Sequence, residues 1–504
     1  MAKIEFLDTT LRDGEQMRGL SFTSEEKLSI FKMLLNNLKV DRIEICSART
    51  SEGDFRAAEE IFKYAKENDF LDKVEILGFV DGNKSVDWVN RTGGKVMNLL
   101  VKGSLNQLTN QIRKTPEFHI KDISEVFSEA GKRNIKLNVY LEDWSRGMKE
   151  SLDYVFEITK ALDRLGAKRI MLADTLGILS PDETKKYVKI MVEKFPEIHF
   201  DFHAHNDYGF ATANSINAVE SGAMGLHATI NGLGERAGNT NLAELVVVIN
   251  DKTKFETGVE ESYLYGISKL VERFSGIRIP ANKPVIGENV FTQTAGVHAD
   301  GDKKGNLYVS KLIPERFGRE REYALGKLSG KASLEQNLKK LGLELSKEEK
   351  EKVLRKINEL GDKKQAITYA DLPFLISDVL DSPKKKTMEI IDVVVSCGFK
   401  LVPNATVTIK YKGKEYSESS AGDGCYDAFM NALKKILVDR LNLDLPKLED
   451  YEVIIPPGGK TDALVETKIT WRNKNLFCTS GVASDQVMAA IKATEKMLNL
   501  LGGW

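Results

Sequence analysis

The chain has 504 residues, 42% hydrophobic and 29% charged, with a formal net charge of −1. That length exceeds one ordinary core and predicts roughly two to four domains; the mixed composition excludes a disordered chain, and the balanced charge points to no nucleic acid and no anionic membrane as partner. Four cysteines without a CxxC pair (Cys46, Cys397, Cys425, Cys478), no apolar run of membrane-spanning length and no signal-peptide pattern at the N-terminus together predict a cytoplasmic protein.

Short apolar runs with strand character recur from the N-terminus, at residues 4–7, 42–46, 74–80, 96–101, 137–141, 170–173, 198–202 and 225–230. Between them lie segments with apolar residues at helical spacing, among them 24–38, 51–68, 151–165, 181–194 and 210–221. Thr23-Ser24-Glu25-Glu26 and Ser180-Pro181-Asp182-Glu183 are helix-start signals. Eight β/α units in about 270 residues predict a (β/α)8 TIM barrel. A doubly wound sheet is the alternative, but a nucleotide-binding one would usually carry a Gly-rich turn after its first strand, and this chain does not.

A barrel gathers its chemistry at the C-terminal strand ends, and the polar residues fall there. Strand one ends in Arg12-Asp13, strand two in Glu44 to Ala48, and strand five in Glu142-Asp143. Strand six ends in Asp174-Thr175, strand seven in His203-Ala204-His205, and strand eight in Asn231 to Asn239. His203 and His205 are two apart on a strand and share a face, a metal-ligand geometry, although two unrelated polar residues would look the same. Asp13 is the candidate carboxylate ligand, and Arg12 beside it suits an anionic substrate. His227 is read as a satisfied interior histidine that could back the metal shell, and His119 and His199 as structural.

After residue 275 the pattern changes. Residues 277–284 contain two prolines and read as a linker, His298 sits in a Gly-rich turn beside Asp300, and residues 333–380 are helical and heavily charged. Beyond the linker at 381–386, strand, turn, strand, Gly-rich bend and helix occur twice, over 405–433 and 464–490. The expected organisation is a catalytic barrel at 1–275, linker subdomains at 276–385 and an α+β domain of two sheet-plus-helix repeats at 386–504.

Leu11-Arg12-Asp13-Gly14-Glu15-Gln16 with Lys27, the stretch from His203 to Gly209, and Gly232-Leu233-Gly234-Glu235-Arg236-Ala237-Gly238-Asn239 resemble the three signatures of the 2-isopropylmalate, citramalate and homocitrate synthases, a group of acyl-CoA condensing enzymes. The repeat after residue 390 resembles that group's amino-acid-sensing regulatory domain, so the resemblance covers essentially the whole chain. It is nearest to the (R)-citramalate synthases. It implies a divalent metal ion, Zn²⁺, Mn²⁺ or Mg²⁺, held by Asp13, His203, His205 and Asn239. It also implies a 2-oxo acid contacted by Arg12 and Thr175, and acetyl-CoA as co-substrate. Glu142 and His298 are the two bases it offers, with Asn306 and Tyr308 near the acetyl-CoA, and His298 would come from the partner of a homodimer. Leu77, Leu100 and Tyr140 would form the substrate wall, and bulky residues there resemble the pyruvate-using members. 2-Isopropylmalate synthases, which use 2-oxoisovalerate, more often have serine in place of Tyr140. Tyr426, Asp427, Leu448, Tyr451 and Ile455 match a feedback-effector site, for isoleucine in a citramalate synthase and leucine in an isopropylmalate synthase. A carbon–carbon lyase on the same barrel and a catalytically silent amino-acid sensor are the rival readings.

Overall fold

The computed structural model describes residues 2–293, 301, 307, 310–340, 343–362, 367, 371–380, 388–454, 465–473 and 476–500. Two compact units divide the chain, one of Met1–Phe291 with Ser310–Glu320, the other of Thr292–Val309 with Arg321–Trp504. Among the described residues no helix is long and apolar enough to cross a membrane.

The first unit is a closed parallel barrel of eight strands in sequential order: β1 (Glu5–Asp8), β2 (Arg42–Ser47), β3 (Val74–Phe79), β4 (Val96–Lys102), β5 (Lys136–Glu142), β6 (Ile170–Asp174), β7 (Phe200–Ala204) and β8 (Gly225–Ala228). The expected TIM barrel is therefore the observed fold. The helix starts read from sequence form as capping boxes: Thr23 accepts from the Glu26 amide while Glu26 accepts from the Thr23 amide. Ser180 and Glu183 make the same reciprocal pair. Each box satisfies amides that a helix start leaves without partners.

Most of the core lies outside the barrel. Leucine, isoleucine, valine and phenylalanine side chains from the strands' outer faces pack against the surrounding helices, with Phe6, Phe200 and Phe202 of the strands and Phe31 of helix Ser24–Lys32 almost wholly buried. The apolar cluster inside is small: Leu7, Leu77, Tyr140, Met171 and Ala173, with Leu100 half-buried beside them. The rest of the interior is polar and ionic. Desolvating so many charges is tolerable only when each is paired, and the pairing is what sets the site.

Six strands lie within one residue of the sequence reading at each end, and the seventh and eighth differ from it by two. The seventh strand is Phe200–Ala204 rather than 198–202, because Ile198 donates its amide to the Phe195 carbonyl in a turn. The eighth ends at Ala228, and Ile230 begins a one-turn helix in which Asn231 is left-handed (φ 61°). Residues 277–280 and Lys283, within the stretch expected as linker, line a cavity of about 280 Å³ together with Met17 and residues of the 231–238 loop.

In the second unit, helices Lys331–Lys340, Lys347–Asp362 and Leu372–Val379 bury Leu334, Leu338, Val353, Ile357 and Leu372 together. The C-terminal repeat is strand-strand-strand-helix, twice: β9 (Met388–Gly398), β10 (Leu401–Tyr411), β11 (Lys414–Ala421) and helix Cys425–Lys434, then β12 (Lys447–Ile454), β13 (Val465–Arg472), β14 (Leu476–Ala483) and helix Gln486–Leu500. Both three-stranded sheets are antiparallel. Val407, Phe429 and Ile436 of the first repeat share one core with Ile469, Trp471 and Met497 of the second.

Candidate active site

The Thr9 carbonyl just beyond β1 accepts the amides of Arg12, Asp13 and Gly14 at 3.1, 2.8 and 3.1 Å. That one carbonyl turns the chain sharply and delivers Arg12 and Asp13 to the barrel mouth. Thr10 Oγ1 donates to Asp8 at 3.0 Å and accepts the Ile230 amide at 2.8 Å, tying this turn to the end of β8.

Asp13, His203 and His205 converge, with one ligand atom from each within 4.8 Å of the others. Asp13 Oδ2 lies 3.3 Å from His203 Nε2 and 3.8 Å from His205 Nε2. Burial resists ionisation of Asp13, but the Arg12 guanidinium and the two imidazoles overcome it and hold the carboxyl well below its usual range. Burial pulls the His205 pKa down to about 4 in spite of Asp13, so at neutral pH its ring is uncharged and able to ligate. Asn239 joins through its backbone, as its strand-like bridge to His205 sets the two side by side.

This donor set fits a divalent cation. Asp13 Oδ1, His205 Nδ1 and Asn239 Oδ1 are buried polar atoms without hydrogen-bond partners, whereas buried polar atoms are nearly always satisfied. Asn239 spends its amide on the Leu233 carbonyl at 3.1 Å, which leaves the oxygen to ligate. The 231–239 loop can close this tightly only with glycine: at Gly234 (φ 151°) a Cβ would lie 2.1 Å from Asn239 Nδ2, and at Gly238 (φ 85°) one would lie 2.0 Å from the Gly232 carbonyl. Imidazole and oxygen donors suit Zn²⁺, Mn²⁺ or Mg²⁺ without choosing among them.

Arg12 is held on three sides. Nε donates to Glu44 Oε2 at 2.5 Å, one terminal nitrogen to Asp13 at 2.8 Å and the other to the Tyr140 hydroxyl at 3.2 Å. Burial disfavours the guanidinium charge, but Glu44 and then Asp13 reverse this and raise its pKa. Glu44 also accepts from Asn98 Nδ2 at 2.7 Å. The sequence put Glu44 near a strand end without a role; in the structure it anchors Arg12.

Below Tyr140 a chain of hydrogen bonds continues down the barrel. The Tyr140 hydroxyl is 3.0 Å from His227 Nδ1, and His227 Nε2 is 3.2 Å from Asp201. Asp201 accepts from Arg42 at 2.5 Å, and Arg42 also donates to Glu75 at 3.0 Å. A carboxylate at Nε2 fixes the proton on that nitrogen, so Nδ1 is the acceptor for Tyr140. Burial lowers the His227 pKa to about 3, which keeps the ring neutral. His227 is thus a satisfied interior histidine that hydrogen-bonds Tyr140 and also packs its ring edge-on against His203, centroids 5.5 Å apart. His199, by contrast, pairs with Asp201 at 2.9 Å and with Arg169.

Leu77, Leu100 and Tyr140 form one apolar wall. The Tyr140 ring meets His203 edge-on, centroids 5.8 Å apart, and the Arg12 guanidinium carbon is 5.4 Å from its centre. Thr175 Oγ1 accepts the Asp143 amide at 2.8 Å, and the Thr175 carbonyl accepts from Arg236 at 2.8 Å. Glu142 ends β5 at the same mouth and is paired with Lys102, a residue the sequence reading did not single out. His298, Asn306, Tyr308 and Ile455 lie outside the described residues.

In the C-terminal domain, Tyr426 and Tyr451 are brought together, ring centroids 5.2 Å apart, and the Tyr426 hydroxyl is 2.6 Å from Thr494 Oγ1. Asp427 accepts from the Asp423 amide at 2.9 Å and from Asn431 at 3.1 Å. Leu448 is exposed on β12.

One titration near the site has a measurable sign. Burial pushes Asp8 up to about 7, against the opposing hydrogen bonds from Thr10. Between pH 3.8, where the unfolded carboxyl titrates, and about 7, the folded chain keeps a proton that the unfolded chain has lost. Asp8 therefore subtracts stability as pH rises, by roughly 1.4 kcal/mol per pH unit across that window, and no further above it. Asp8→Asn is expected to gain stability relative to wild type from pH 4.5 to 7 and to run parallel above. Urea unfolding of both proteins across this range tests it; parallel curves throughout would remove the burial argument.

The closed barrel places an Asp-His-His cluster at its C-terminal mouth, the architecture of a TIM barrel with a candidate site for a divalent metal ion. Residues 3–271 match the HMGL-like family model, 285–365 the homocitrate synthase post-HMGL domain-like model and 366–501 the LeuA allosteric (dimerisation) domain model. A Methanopyrus kandleri protein with the provisional name (R)-citramalate synthase CimA is 34% identical over 99% of this chain and 96% of its own length. One provisionally named 2-isopropylmalate synthase from the same organism is 33% identical over 99% and 98%. The (R)-citramalate synthase CimA of Methanocaldococcus jannaschii is 31% identical over 99% of both chains. The chain belongs to the HMGL-like family, as one of its acyl-CoA-condensing acyltransferases.

Proposed function

We propose that the chain condenses acetyl-CoA with pyruvate and hydrolyses the thioester, giving (R)-citramalate and CoA. The observation that carries the choice of pyruvate is the wall of Leu77, Leu100 and Tyr140, with the Tyr140 ring pinned between Arg12 and His203. On this reading the phenol takes up the space that the isopropyl group of 2-oxoisovalerate would need, where 2-isopropylmalate synthases more often have serine. Methyl-sized differences are worth only ~1–3 kcal/mol each to a pocket, so a rigid side chain that excludes the larger acid is the stronger discriminator.

A divalent ion held by Asp13, His203, His205 and Asn239 would supply Lewis-acid polarisation of the 2-oxo group. Thr175 holds the substrate carboxylate with its hydroxyl proton, since its oxygen already accepts from Asp143. With Glu142 as the base, His298 being the other candidate, a proton passes from the acetyl methyl group to Glu142, and the resulting carbon nucleophile attacks the ketone carbon. The ketone π-electrons move onto oxygen, where the Arg12 guanidinium meets the developing charge. The alkoxide takes up, by way of water, the proton removed from the methyl group; a water molecule then cleaves the thioester, leaving the carboxylate and CoA as the thiol.

The reading includes a homodimer in which the partner's loop contributes His298, Asn306 and Tyr308 around acetyl-CoA. It also includes feedback by isoleucine at Tyr426, Asp427, Leu448, Tyr451 and Ile455, and a cytoplasmic enzyme at the entry to isoleucine synthesis. The Tyr426–Tyr451 pair supports an effector pocket, whereas the hydrogen bonds of Asp427 are equally those of an ordinary helix start. Initial-rate thiol release from acetyl-CoA is the test, with pyruvate and 2-oxoisovalerate in parallel, each with isoleucine or leucine. Preference for pyruvate with isoleucine inhibition is expected. Preference for 2-oxoisovalerate with leucine inhibition would make the chain a 2-isopropylmalate synthase, and no release with either acid would favour the lyase or the sensor.

A further inference from the structure

Lys102 is the last residue of β4, and its register partner across the parallel ladder is Glu142, the last residue of β5. Residues two apart on a strand share a face, so Lys102 stands one layer above Leu100 and Glu142 one layer above Tyr140. The Lys102 ammonium pairs with Glu142 Oε2, and both side chains are largely withdrawn from water, at 13% and 20% exposure.

The main chain of Lys102 is clamped from two helices. Its amide donates to His119 Nε2 at 3.3 Å, and its carbonyl accepts from the Tyr154 hydroxyl at 2.8 Å. His119 comes from helix Pro116–Lys132 and Tyr154 from helix Leu152–Arg164, and both side chains are buried. The next residue closes the gap to β5: the Gly103 amide donates to the Glu142 carbonyl at 2.7 Å, where a Cβ would lie 2.9 Å from that oxygen. The clamp has a cost, because His119 Nδ1 is buried without a partner.

A lysine–glutamate pair withdrawn from water to this extent adds little net stability, because desolvation of the two charges offsets their attraction. Two buried side chains and a glycine contact are more than such a pair requires for folding. They are what a reacting carboxylate requires, since a misplacement of about 1 Å can cost roughly 100-fold in rate. We propose that Lys102 is the positioning residue for Glu142, gripping one carboxylate oxygen so that the other faces the acetyl methyl group of the thioester. This rests on the reading of Glu142 as the proton acceptor. Lys102 acts through Glu142 and does not touch the 2-oxo acid, whose contacts are Arg12 and Thr175.

The experiment is a double-mutant cycle in the full-length enzyme, with Lys102→Met, Lys102→Arg, Glu142→Gln and the Met/Gln pair, assayed by thiol release. Lys102→Met is expected to lower kcat on the order of 100-fold with the KM for pyruvate within about twofold. Lys102→Arg, which keeps a cation in reach of Oε2, is expected to recover most of the loss. In the Glu142→Gln background Lys102→Met should have no further effect, because its route of action is already gone. Wild-type kcat in Lys102→Met while Glu142→Gln is impaired would overturn this proposal and leave the reading of Glu142 standing. An equal loss from Lys102→Met in both backgrounds, or no recovery with arginine, would make Lys102 merely structural and overturn it too. Full turnover in Glu142→Gln would overturn the reading of Glu142 and this proposal with it.

Discussion

His203→Ala is expected to abolish both metal binding and turnover while the barrel stays folded. The imidazole is buried at the centre of the cluster, 3.3 Å from Asp13 and with ring centroids 5.1 Å from His205 and 5.8 Å from Tyr140. Its removal leaves no uncompensated charge, because Asp13 keeps its 2.8 Å bond to Arg12, so the loss falls on the site rather than on the fold. Even partners that only orient a metal ligand are worth ~10–100-fold in affinity, and deleting a ligand costs more than that. The several kcal/mol that a Lewis acid contributes correspond to about 10³-fold or more in rate. Metal content after dialysis and thiol release from acetyl-CoA are the two readouts, with thermal unfolding as the control. Undiminished turnover in a metal-stripped variant would remove the metal site from the mechanism.

The barrel was legible because its signal is periodic. Apolar alternation and capping residues are local, and eight strands with polar C-terminal ends leave few architectures open. Boundaries were less legible where an apolar residue serves a turn, as Ile198 does by bonding to Phe195. In the C-terminal repeat the first strand of each half escaped notice. β12 reads Lys447-Leu448-Glu449-Asp450, and its charges are carried by cross-strand partners such as Arg472, 2.8 Å from Glu449. The convergence of Asp13, His203 and His205 was legible from residue type and spacing. What braces the residues around that cluster was not, because Glu44, His227, Asp201 and Lys102 matter through partners 26 to 159 positions away in sequence. Periodicity tells which way a side chain faces, and only closure of the barrel tells what it meets.

Arg12→Lys is expected to lower kcat ~10²–10³-fold, the usual cost of losing a donor aimed at a developing oxyanion, while metal binding persists. The guanidinium spends its Nε on Glu44 at 2.5 Å and its two terminal nitrogens on Asp13 at 2.8 Å and Tyr140 at 3.2 Å. A lysine keeps the charge but is a single point with no fixed fork, so it cannot bridge Glu44, Asp13 and Tyr140 at once. Arg12→Ala would be a poorer test. It leaves Glu44 ionisable and buried without its cation, and breaking a buried pair in this way costs about 3–5 kcal/mol, so lost activity would merge with lost fold. With lysine the two can be separated. If Arg12 acts on charge that appears only as the carbon–carbon bond forms, kcat and kcat/KM fall together. If it acts chiefly on the carboxylate of the bound 2-oxo acid, KM rises with kcat little changed. The three-way restraint favours the first outcome, because a side chain fixed before substrate arrives needs no reorganisation when the charge develops.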